Sequence, residues 1–238
     1  MKMLVLAGGF GTRLKSVVGF VPKALAPVGP IPFLEVQIAQ WKAQGLRSFV
    51  FLLHHQAELI IAFLQGQAGG LLADCDVRWL VEPEPLDTGG AVAFAVRTLC
   101  LEGEFLLTNA DTWLGGGVQD VAGAPAPALG VVYLVDNAVR YGRVRFGANQ
   151  RVTRFEEKGQ TRGPGWINAG LCKLDAGLFA QWDGRPFSLE RVNLTRLAAS
   201  GALSAVPLQT DFIDIGVPVD YRRFCDWIHN DRQGHLCN

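Results

Sequence analysis

The chain has 238 residues, 49% of them hydrophobic and 18% charged, a composition that excludes a disordered protein and allows a sizeable core. Its 22 lysines and arginines balance its 22 aspartates and glutamates, so no strong net field attracts a nucleic-acid polymer or an anionic membrane. No apolar run reaches the ~18 residues that a membrane-spanning helix needs.

Strand and helix patterns alternate through the first half of the chain. Strands are predicted at residues 3–7, 48–53, 77–81 and 105–108, and helices at 33–44, 56–65 and 89–100. This alternation predicts a mostly parallel sheet with helices on both faces, which binds ligands at the carboxyl ends of its strands. Three unusual segments, residues 8–13, 82–90 and 109–111, fall at those ends.

The second half of the chain is richer in strand patterns. Short strands are predicted at residues 129–135, 142–146, 152–155 and 167–174, helices at 188–200 and 218–228, and a proline- and alanine-rich loop at 121–128. Together the halves predict an α/β fold with three layers, a Rossmann-like, mixed and mostly parallel sheet flanked by helices. No internal repeat or low-complexity tract divides the chain, so we expect one domain over residues 1–238.

The cysteines and the N-terminus indicate the cellular compartment of the protein. Five cysteines are scattered through mostly apolar segments, and an odd, scattered set is typical of reduced thiols. The N-terminus has a strand pattern and no small-residue cleavage site, so it does not resemble a signal peptide. We therefore expect a cytoplasmic protein without a membrane partner.

Residues 9–14 form a glycine-rich loop directly after the first predicted strand. The loop begins like the dinucleotide motif G-x-G-x-x-G, but Leu14 occupies the third glycine position and residues 17–23 do not make a good helix. The motif G-x-x-x-x-G-K-[ST] is absent as well. What remains is a loop with exposed N–H donors followed by Arg13, whose guanidinium can fork onto phosphate oxygens. A plain glycine turn with a surface arginine is the alternative.

Lys23 and two aspartates can complete a phosphate site. Lys23 follows Pro22 in a proline-rich segment whose extended backbone presents the side chain in one direction, although many lysines are simply solvated. Asp111 in LLTNAD and Asp214 in FIDIG each follow an apolar stretch. Two carboxylates at strand ends favour a shared Mg²⁺ site, because this hard cation binds few protein oxygens plus phosphate and water. The alternative is that each aspartate caps a turn.

Eight motifs follow one another along nearly the whole chain. They are LAGGFGTRL (6–14), PKALAPVGPIPFLE (22–35), EPEPLDTGGA (82–91), TNAD (108–111), YGRV (141–144), FEEK (155–158), INAG (167–170) and DIGVPVDY (214–221). By these motifs the chain resembles the sugar-1-phosphate nucleotidylyltransferases, which have a GT-A-like fold. The resemblance implies that a sugar 1-phosphate attacks the α-phosphate of a nucleoside triphosphate in line, giving a nucleotide sugar and pyrophosphate.

The resemblance also implies roles for individual residues. The implied catalytic residues are Arg13 on the departing pyrophosphate, Lys23 on the α-phosphate and the incoming phosphate, and Asp111. The implied nucleotide-binding residues are Leu6, Ala7, Gly8, Gly9, Gly11, Thr12, Arg13, Glu82, Gly89 and Gly90. The implied sugar-phosphate-binding residues are Asn109, Gly142, Glu157, Lys158 and Asn168, and the implied Mg²⁺ ligands are Asp111 and Asp214. Residues 1–120 would mainly bind the nucleotide and residues 121–238 the sugar phosphate.

Within the family, some motifs are more specific about the substrates. GTRLKSV, PFLE, YGRV, FEEK, FSLE and DFIDIGVPVDY are most similar to D-glycero-D-manno-heptose 1-phosphate guanylyltransferases of bacterial surface polysaccharides such as lipopolysaccharide and capsule. The expected substrates are therefore GTP and D-glycero-α-D-manno-heptose 1-phosphate, with Glu82 accepting hydrogen bonds from guanine. The alternatives are a mannose-1-phosphate guanylyltransferase, a uridylyl- or cytidylyltransferase, and a catalytically silent nucleotide-sugar-binding regulatory protein.

Two residues depart from the pattern of the family. Asp87 stands where L-G-T-G-G has glycine, which predicts a crowded or reoriented base pocket. Ala110 stands where N-G-D has glycine, which predicts a slightly altered turn before Asp111. Neither change removes a charged catalytic group, so activity is expected. Three tryptophans, Trp113, Trp182 and Trp227, fit either a core or an interface, so the sequence is compatible with a homo-oligomer.

Overall fold

A computed structural model describes residues 1–136, 138–156, 159 and 162–234. The strands in this part of the chain are β1 (Met3–Leu6), β2 (Pro27–Val28), β3 (Ile31–Pro32), β4 (Ser48–Leu53), β5 (Asp76–Val81), β6 (Glu104–Asn109), β7 (Thr112–Leu114), β8 (Ala128–Leu134), β9 (Arg143–Phe146), β10 (Val152–Glu156), β11 (Gly165–Asp175), β12 (Ser204–Pro207) and β13 (Phe212–Asp214). The α-helices are α1 (Lys15–Val18), α2 (Phe33–Ala43), α3 (Ala57–Gly66), α4 (Asp87–Thr98), α5 (Val118–Gly123), α6 (Thr195–Ala199) and α7 (Pro218–Gly234). Short 3₁₀ turns cover Lys23–Leu25 and Ala176–Phe179, and a π-helical segment, Glu190–Leu194, leads into α6.

A seven-stranded sheet with the order β12-β8-β11-β6-β1-β4-β5 forms the centre of the fold. β1 lies parallel to both β4 and β6, β4 lies parallel to β5, and β12 lies parallel to β8. β11 runs antiparallel to its two neighbours, β6 and β8. The predicted mixed, mostly parallel sheet flanked by helices is therefore confirmed, and it draws strands from both halves of the chain.

The sheet is covered on both faces because successive side chains of a strand point to opposite sides. In β1, Met3 and Val5 face a core that includes α2, α3 and α5, whereas Leu4 faces a second core with α4 and α6. All three side chains are fully buried. This burial explains why β1 and β4 appear in the sequence as continuous apolar runs.

A third core beside the sheet holds the elements that carry Asp214. Phe33, Trp113 and Phe224 pack there, with ring centroids 5.0 Å apart for Phe33–Phe224 and 5.8 Å for Trp113–Phe224. Trp227 stacks edge-on against Trp113 at 4.5 Å. These two tryptophans therefore serve intramolecular packing, and they join α7 to the β7–β13 pair.

Two strand pairings bring distant parts of the chain to one edge of the sheet. Leu6 pairs with Asn109, so the glycine loop after β1 and the residues after β6 leave the sheet side by side. In the antiparallel β7–β13 pair, Asp214 lies opposite Thr112. The backbone N–H of Ile215 also donates to the carbonyl of Asp111 at 3.0 Å. The two aspartates are thus fixed next to each other by backbone hydrogen bonds.

Most predicted elements agree with the structure to within a few residues, with several exceptions. Residues 121–123 belong to α5 although the sequence predicts a loop, and residues 188–200 do not form one regular α-helix. The strands β7, β12 and β13 have no strong local pattern, because each is only three or four residues long and depends on a distant partner. Among the residues that the structure describes, no helix has the length and apolar character required to cross a membrane.

Candidate active site

The glycine loop is fixed by a turn at Gly11 and by the burial of Leu14. Gly11 adopts a φ of +59°, which favours glycine, and its carbonyl accepts a hydrogen bond from Leu14 at 3.0 Å. Leu14 is 1% exposed and packs in the third core, so it anchors the loop instead of allowing close helix packing as a third glycine would. At the tip, the exposed Phe10 ring lies 5.1 Å from the ring of His55.

Lys23 stands at the centre of the site. Pro22 begins the 3₁₀ turn that presents the lysine, and this turn lies beside the glycine loop, since a Cβ on Gly11 would be 3.4 Å from the Lys23 Cβ. The ammonium Nζ lies 2.5 Å from Asp111 Oδ2 and 3.7 Å from Asp214 Oδ1. The lysine is therefore a half-buried partner of both aspartates, and the alternative of a free surface group is wrong.

Gly216 leaves the room that this ion triplet needs. A Cβ at this position would lie 2.6 Å from Asp214 Oδ1 and 2.9 Å from the Lys23 ammonium. The backbone N–H of Gly216 donates to the same Asp214 oxygen at 2.6 Å. The DIG sequence thus orients a carboxylate and keeps the space in front of it clear.

A cavity of about 270 Å³ opens above these groups. It brings together the predicted residues Leu6, Ala7, Gly9, Gly11, Thr12, Arg13, Lys23 and Asp111, and its wall also includes Phe10, Ala24, Ala110 and Gly216. Arg13 is exposed and forms no salt bridge with any residue that the structure describes. Its guanidinium is therefore available to an anionic ligand in the cavity.

The donor set at the carboxyl edge suits a hard cation that shares its coordination with a ligand. Asp111 and Asp214 converge on one positive charge, the Lys23 ammonium, which marks the point between them as favourable for a cation. The described residues contain no group of three or more acidic, histidine or cysteine side chains that would hold a metal by itself. Two carboxylates completed by phosphate and water are the usual protein environment of Mg²⁺.

Glu82 directly follows β5 and lies next to Gly8, just before the glycine loop. It is 8% exposed, and its Oε2 accepts the backbone N–H of Leu86 at 3.0 Å. Its Oε1 faces Gly8, where a Cβ would approach to 3.2 Å. Burial raises the pKa of this carboxyl above its ordinary value, although the Leu86 hydrogen bond and nearby His54 oppose the shift. One carboxylate oxygen is thus fixed by the chain while the other faces the glycine loop.

Gly89 and Gly90 lie inside α4 and are packed by a distant residue. Both backbone N–H groups donate to the carbonyl of Phe187, at 2.8 and 3.2 Å. A Cβ on Gly89 would lie within the van der Waals envelope of the Phe187 ring. The absence of side chains at these positions therefore has a packing reason, and the predicted contact of the two glycines with a nucleotide stays a prediction.

We expect Gly89→Ala to lower the free energy of unfolding by about 1–3 kcal/mol, because the new methyl group overpacks against Phe187. Thermal unfolding of Gly89→Ala, Phe187→Ala and the double variant measures this contact. The two effects should not add, since removing the ring makes room for the methyl group. Additive losses of stability would contradict the packing role, and an unchanged melting temperature with a raised KM for GTP would favour the nucleotide role.

The two departures from the family motifs have different structural outcomes. Asp87 adopts a φ of +58°, a left-handed conformation in which glycine is unstrained, and its exposed side chain accepts the N–H of Thr88 at 2.6 Å. Ala110 is buried and is not among the residues with positive φ. The turn before Asp111 therefore accommodates alanine without backbone strain, whereas Asp87 carries the strain that a glycine would relieve.

Three of the five predicted sugar-phosphate residues lie in the described part of the chain, and two of them meet at Gly170. Asn109 ends β6, and its Nδ2 would be 3.0 Å from a Cβ on Gly170. Asn168 Oδ1 accepts the N–H of the same Gly170 at 2.8 Å, at an irregularity in β11. Gly142 is buried with a φ of +74°. Glu157 and Lys158 lie outside the described residues, so their predicted roles stay predictions.

Sequence reasoning missed a second ion cluster behind Asp214. Arg140 Nη2 lies 3.8 Å from Asp214 Oδ2, and Arg140 Nη1 donates to Asp220. The guanidinium also donates to the Tyr141 hydroxyl and lies 4.6 Å over the Tyr141 ring. Burial raises the pKa of Tyr141 to about 12, so the phenol stays protonated. Asp220 lies within the motif DIGVPVDY and Arg140 directly precedes YGRV, but nothing local signals that they meet.

Comparison with known proteins gives the family. Residues 2–216 match the nucleotidyl transferase family. The chain belongs to this family. The resemblance inferred from the ordered motifs is therefore confirmed, and so is the prediction that the chain is a nucleotidyltransferase.

Two relatives illustrate the range of this nucleotidyl transferase family. A D-glycero-α-D-manno-heptose 1-phosphate guanylyltransferase from Campylobacter jejuni is 29% identical over 228 residues, which cover 94% of this chain and 98% of the relative. Mannose-1-phosphate guanylyltransferase 1 from Arabidopsis thaliana is 32% identical over 231 residues, which cover 93% of this chain and 63% of the relative. The chain therefore spans less than two thirds of the plant enzyme.

Solved structures agree with this assignment. HddC from Yersinia pseudotuberculosis superposes with a TM-score of 0.82 at 29% identity, covering 95% of this chain and 99% of HddC. HddC has also been solved in complex with GMP-PN, and that structure gives a TM-score of 0.81. A putative glucose-1-phosphate thymidylyltransferase from Bacillus anthracis shares the fold at 17% identity, with a TM-score of 0.76 over 94% of this chain and 93% of the other.

Proposed function

We propose that the chain transfers a guanylyl group from GTP to a sugar 1-phosphate, most specifically D-glycero-α-D-manno-heptose 1-phosphate, and releases pyrophosphate. One observation carries the proposal: Lys23, which lines the cavity together with the glycine loop, Arg13 and Asp111, forms ion pairs with both Asp111 and Asp214. This arrangement offers cationic groups and backbone donors for a triphosphate beside two carboxylates. The heptose-specific and GMP-PN-bound relatives support the choice of sugar and base.

The residues of the cavity would act by position and charge. The loop N–H groups and Arg13 bind the β- and γ-phosphates, and the Lys23 ammonium moves from the carboxylates to the α-phosphate. An oxygen of the sugar 1-phosphate attacks the α-phosphorus in line, forming a new P–O bond while the bond to the β-phosphate oxygen breaks. Pyrophosphate leaves with that oxygen, and Arg13 stabilises its charge. No covalent intermediate with the protein is needed.

Asp111 and Asp214 would hold a divalent cation, and we propose Mg²⁺. The pair fits this ion, since both carboxylates already converge on a cation in the form of the Lys23 ammonium. When bound, the ion would neutralise phosphate charge as the anhydride bond is broken. Both aspartates are themselves held in place. The Gly216 N–H donates to the Asp214 carboxylate, and the Ile215 N–H donates to the Asp111 carbonyl.

We assign the nucleotide mainly to residues 1–120 and the sugar phosphate mainly to residues 121–238. Glu82 Oε1 would accept hydrogen bonds from guanine, while Asn109, Gly142, Glu157, Lys158 and Asn168 would line the sugar side. The scattered cysteines support a cytoplasmic enzyme, and the balanced charge supports the absence of nucleic-acid and membrane partners. A homo-oligomer is compatible with the sequence.

A matrix of pyrophosphate release tests the proposal. Four nucleoside triphosphates are combined with heptose, mannose and glucose 1-phosphates, each with and without Mg²⁺. We expect release only with metal and sugar phosphate together, fastest with GTP and the heptose. Glu82→Gln should erode the preference for GTP by roughly 10–100-fold in kcat/KM, because a hydrogen bond to a charged acceptor is worth about 1.5–3 kcal/mol.

The matrix also separates the alternatives. The plant relative is the more similar of the two by identity, which favours mannose 1-phosphate as the second candidate acceptor. Faster release with mannose than with heptose would overturn the choice of sugar but not the guanylyl transfer. Binding of GTP without release in any combination would favour the silent regulatory protein. A Glu82→Gln enzyme with unchanged base preference would contradict the role of Glu82.

A further inference from the structure

The Arg140–Asp220 pair lies directly behind one of the two carboxylates in the proposed metal site. Asp214 presents one oxygen, Oδ1, toward Gly216 N–H at 2.6 Å and Lys23 Nζ at 3.7 Å. Its other oxygen, Oδ2, faces Arg140 Nη2 at 3.8 Å. Each oxygen of the Asp214 carboxylate thus has its own partners. Oδ1 points toward Lys23, which also pairs with Asp111.

Arg140 is itself fixed more firmly than a surface arginine. Its Nη1 donates to Asp220, whose residue is 8% exposed and lies in the first turn of α7. Its guanidinium lies over the Tyr141 ring at 4.6 Å, and the Tyr141 ring packs edge-on against Phe212 at 5.3 Å. Phe212 begins β13, the strand that ends at Asp214. Arg140 therefore packs, through Tyr141, against the same short strand that carries Asp214.

The charges of the cluster show what Arg140 contributes. Asp220 has a second cationic partner, since Arg223 Nη2 lies 3.6 Å from Asp220 Oδ1. Asp220 therefore does not depend on Arg140 alone for its counter-charge. The planar guanidinium can fork between two carboxylates and stack on a ring at once, which a lysine ammonium cannot do. This geometry suits a group that sets the orientation of Asp214.

We propose that Arg140 is a positioning residue that holds the Asp214 carboxylate turned toward Lys23 and Asp111, in the orientation that cation binding requires. The inference rests on the proposed function, because it assumes that Asp214 is a metal ligand. Removal of a group in the outer shell of a metal site, as Arg140 would be through its 3.8 Å ion pair with Asp214, typically changes metal affinity by about 10–100-fold. The role is specific to Arg140, which acts through Asp214 and does not contact the reacting atoms.

The test uses a change that leaves the charge of the site unaltered. The double variant Arg140→Gln/Asp220→Asn removes one positive and one negative group, so a change in metal affinity reports orientation and not net charge. A matched control, Arg145→Gln/Glu156→Gln, removes a similar pair, bonded at 2.8 Å, from the antiparallel strands β9 and β10. Binding of Mn²⁺ alone to the nucleotide-free protein is measured by electron paramagnetic resonance, and thermal unfolding confirms that each variant is folded.

We expect the double variant to bind Mn²⁺ about 10–100-fold more weakly than the wild type, and the control pair to leave affinity unchanged. The single variant Arg140→Lys should bind Mn²⁺ with an affinity between that of the wild type and that of the double variant. The half-saturating Mg²⁺ concentration in turnover should rise in parallel, while KM for the sugar 1-phosphate stays near its normal value.

Three results would overturn the inference in distinguishable ways. Wild-type Mn²⁺ affinity in the double variant, with weakened affinity in Asp214→Asn, would show that Asp214 binds metal without help from Arg140. A raised KM for the sugar 1-phosphate with unchanged metal affinity would make Arg140 a substrate-binding residue instead. Unchanged affinity in Asp214→Asn itself would remove the metal site from the proposed function, and the positioning role with it.

Discussion

Replacing Asp111 by asparagine should lower turnover by roughly 10²–10³-fold, with little loss of stability, because this carboxylate would hold the cation that neutralises charge at the α-phosphate. The Asp111 side chain is 37% exposed, so its loss opens no buried cavity. Excess Mg²⁺ should recover only part of the rate, since the second carboxylate, Asp214, remains. Initial rates across a Mg²⁺ titration measure both effects.

The matched control for Asp111 is another aspartate in a lysine salt bridge. Asp74 pairs with Lys42 and Arg47 near the amino end of β5, at the edge of the sheet opposite the cavity. Asp74→Asn removes a carboxylate of similar type and should leave turnover within about twofold, because Asp74 does not line the cavity. It should also cost little stability, because surface ion pairs contribute little to it. Equal rates for Asp111→Asn and Asp74→Asn would remove Asp111 from the catalytic site.

Replacing Lys23 by methionine should produce two opposite changes in one protein. Turnover should fall by roughly 10²–10³-fold, because a cation that stabilises the α-phosphate is lost. Affinity for Mn²⁺ in the absence of nucleotide should rise about tenfold or more, because the ammonium no longer occupies the space between Asp111 and Asp214. Even in water, two unit charges 4 Å apart interact by about 1 kcal/mol, and a divalent ion doubles that figure.

Lower turnover together with tighter Mn²⁺ binding is diagnostic of Lys23, because general damage to the site would lower both turnover and metal affinity. Lys42→Met serves as the control, since Lys42 also pairs with an aspartate but lies away from the cavity. It should change neither turnover nor metal affinity. A Lys23→Met protein with weakened Mn²⁺ binding would contradict the idea that the lysine and the metal share one position.

Much of the site could be predicted because the sequence places its parts at the ends of buried strands. The apolar runs of β1 and β6 are visible, and parallel pairing of Leu6 with Asn109 brings the glycine loop and Asp111 to the same edge. The sequence also predicts that Asp214 joins them. The three-residue strand that delivers it has no local pattern, because pairing with β7 creates it.

The parts that could not be predicted depend on contacts between distant residues. Arg140 and Asp220 are 80 residues apart in the chain, and neither shows its partner in its neighbours. Gly89 resembles a nucleotide-binding glycine, yet its N–H and its lack of a Cβ are used by Phe187. Asp87 departs visibly from the family motif, but only the backbone reveals that it adopts a left-handed conformation.

The most direct test of guanylyl transfer is the stoichiometry of one reaction. Purified protein with Mg²⁺, GTP and D-glycero-α-D-manno-heptose 1-phosphate should release one pyrophosphate for each GDP-heptose formed, and omission of the sugar phosphate should abolish the release. Chromatography of the nucleotides and a coupled pyrophosphate assay measure both products in the same sample. Pyrophosphate released without a sugar phosphate, or no GDP-sugar from GTP with any sugar 1-phosphate tested, would contradict the proposed transfer.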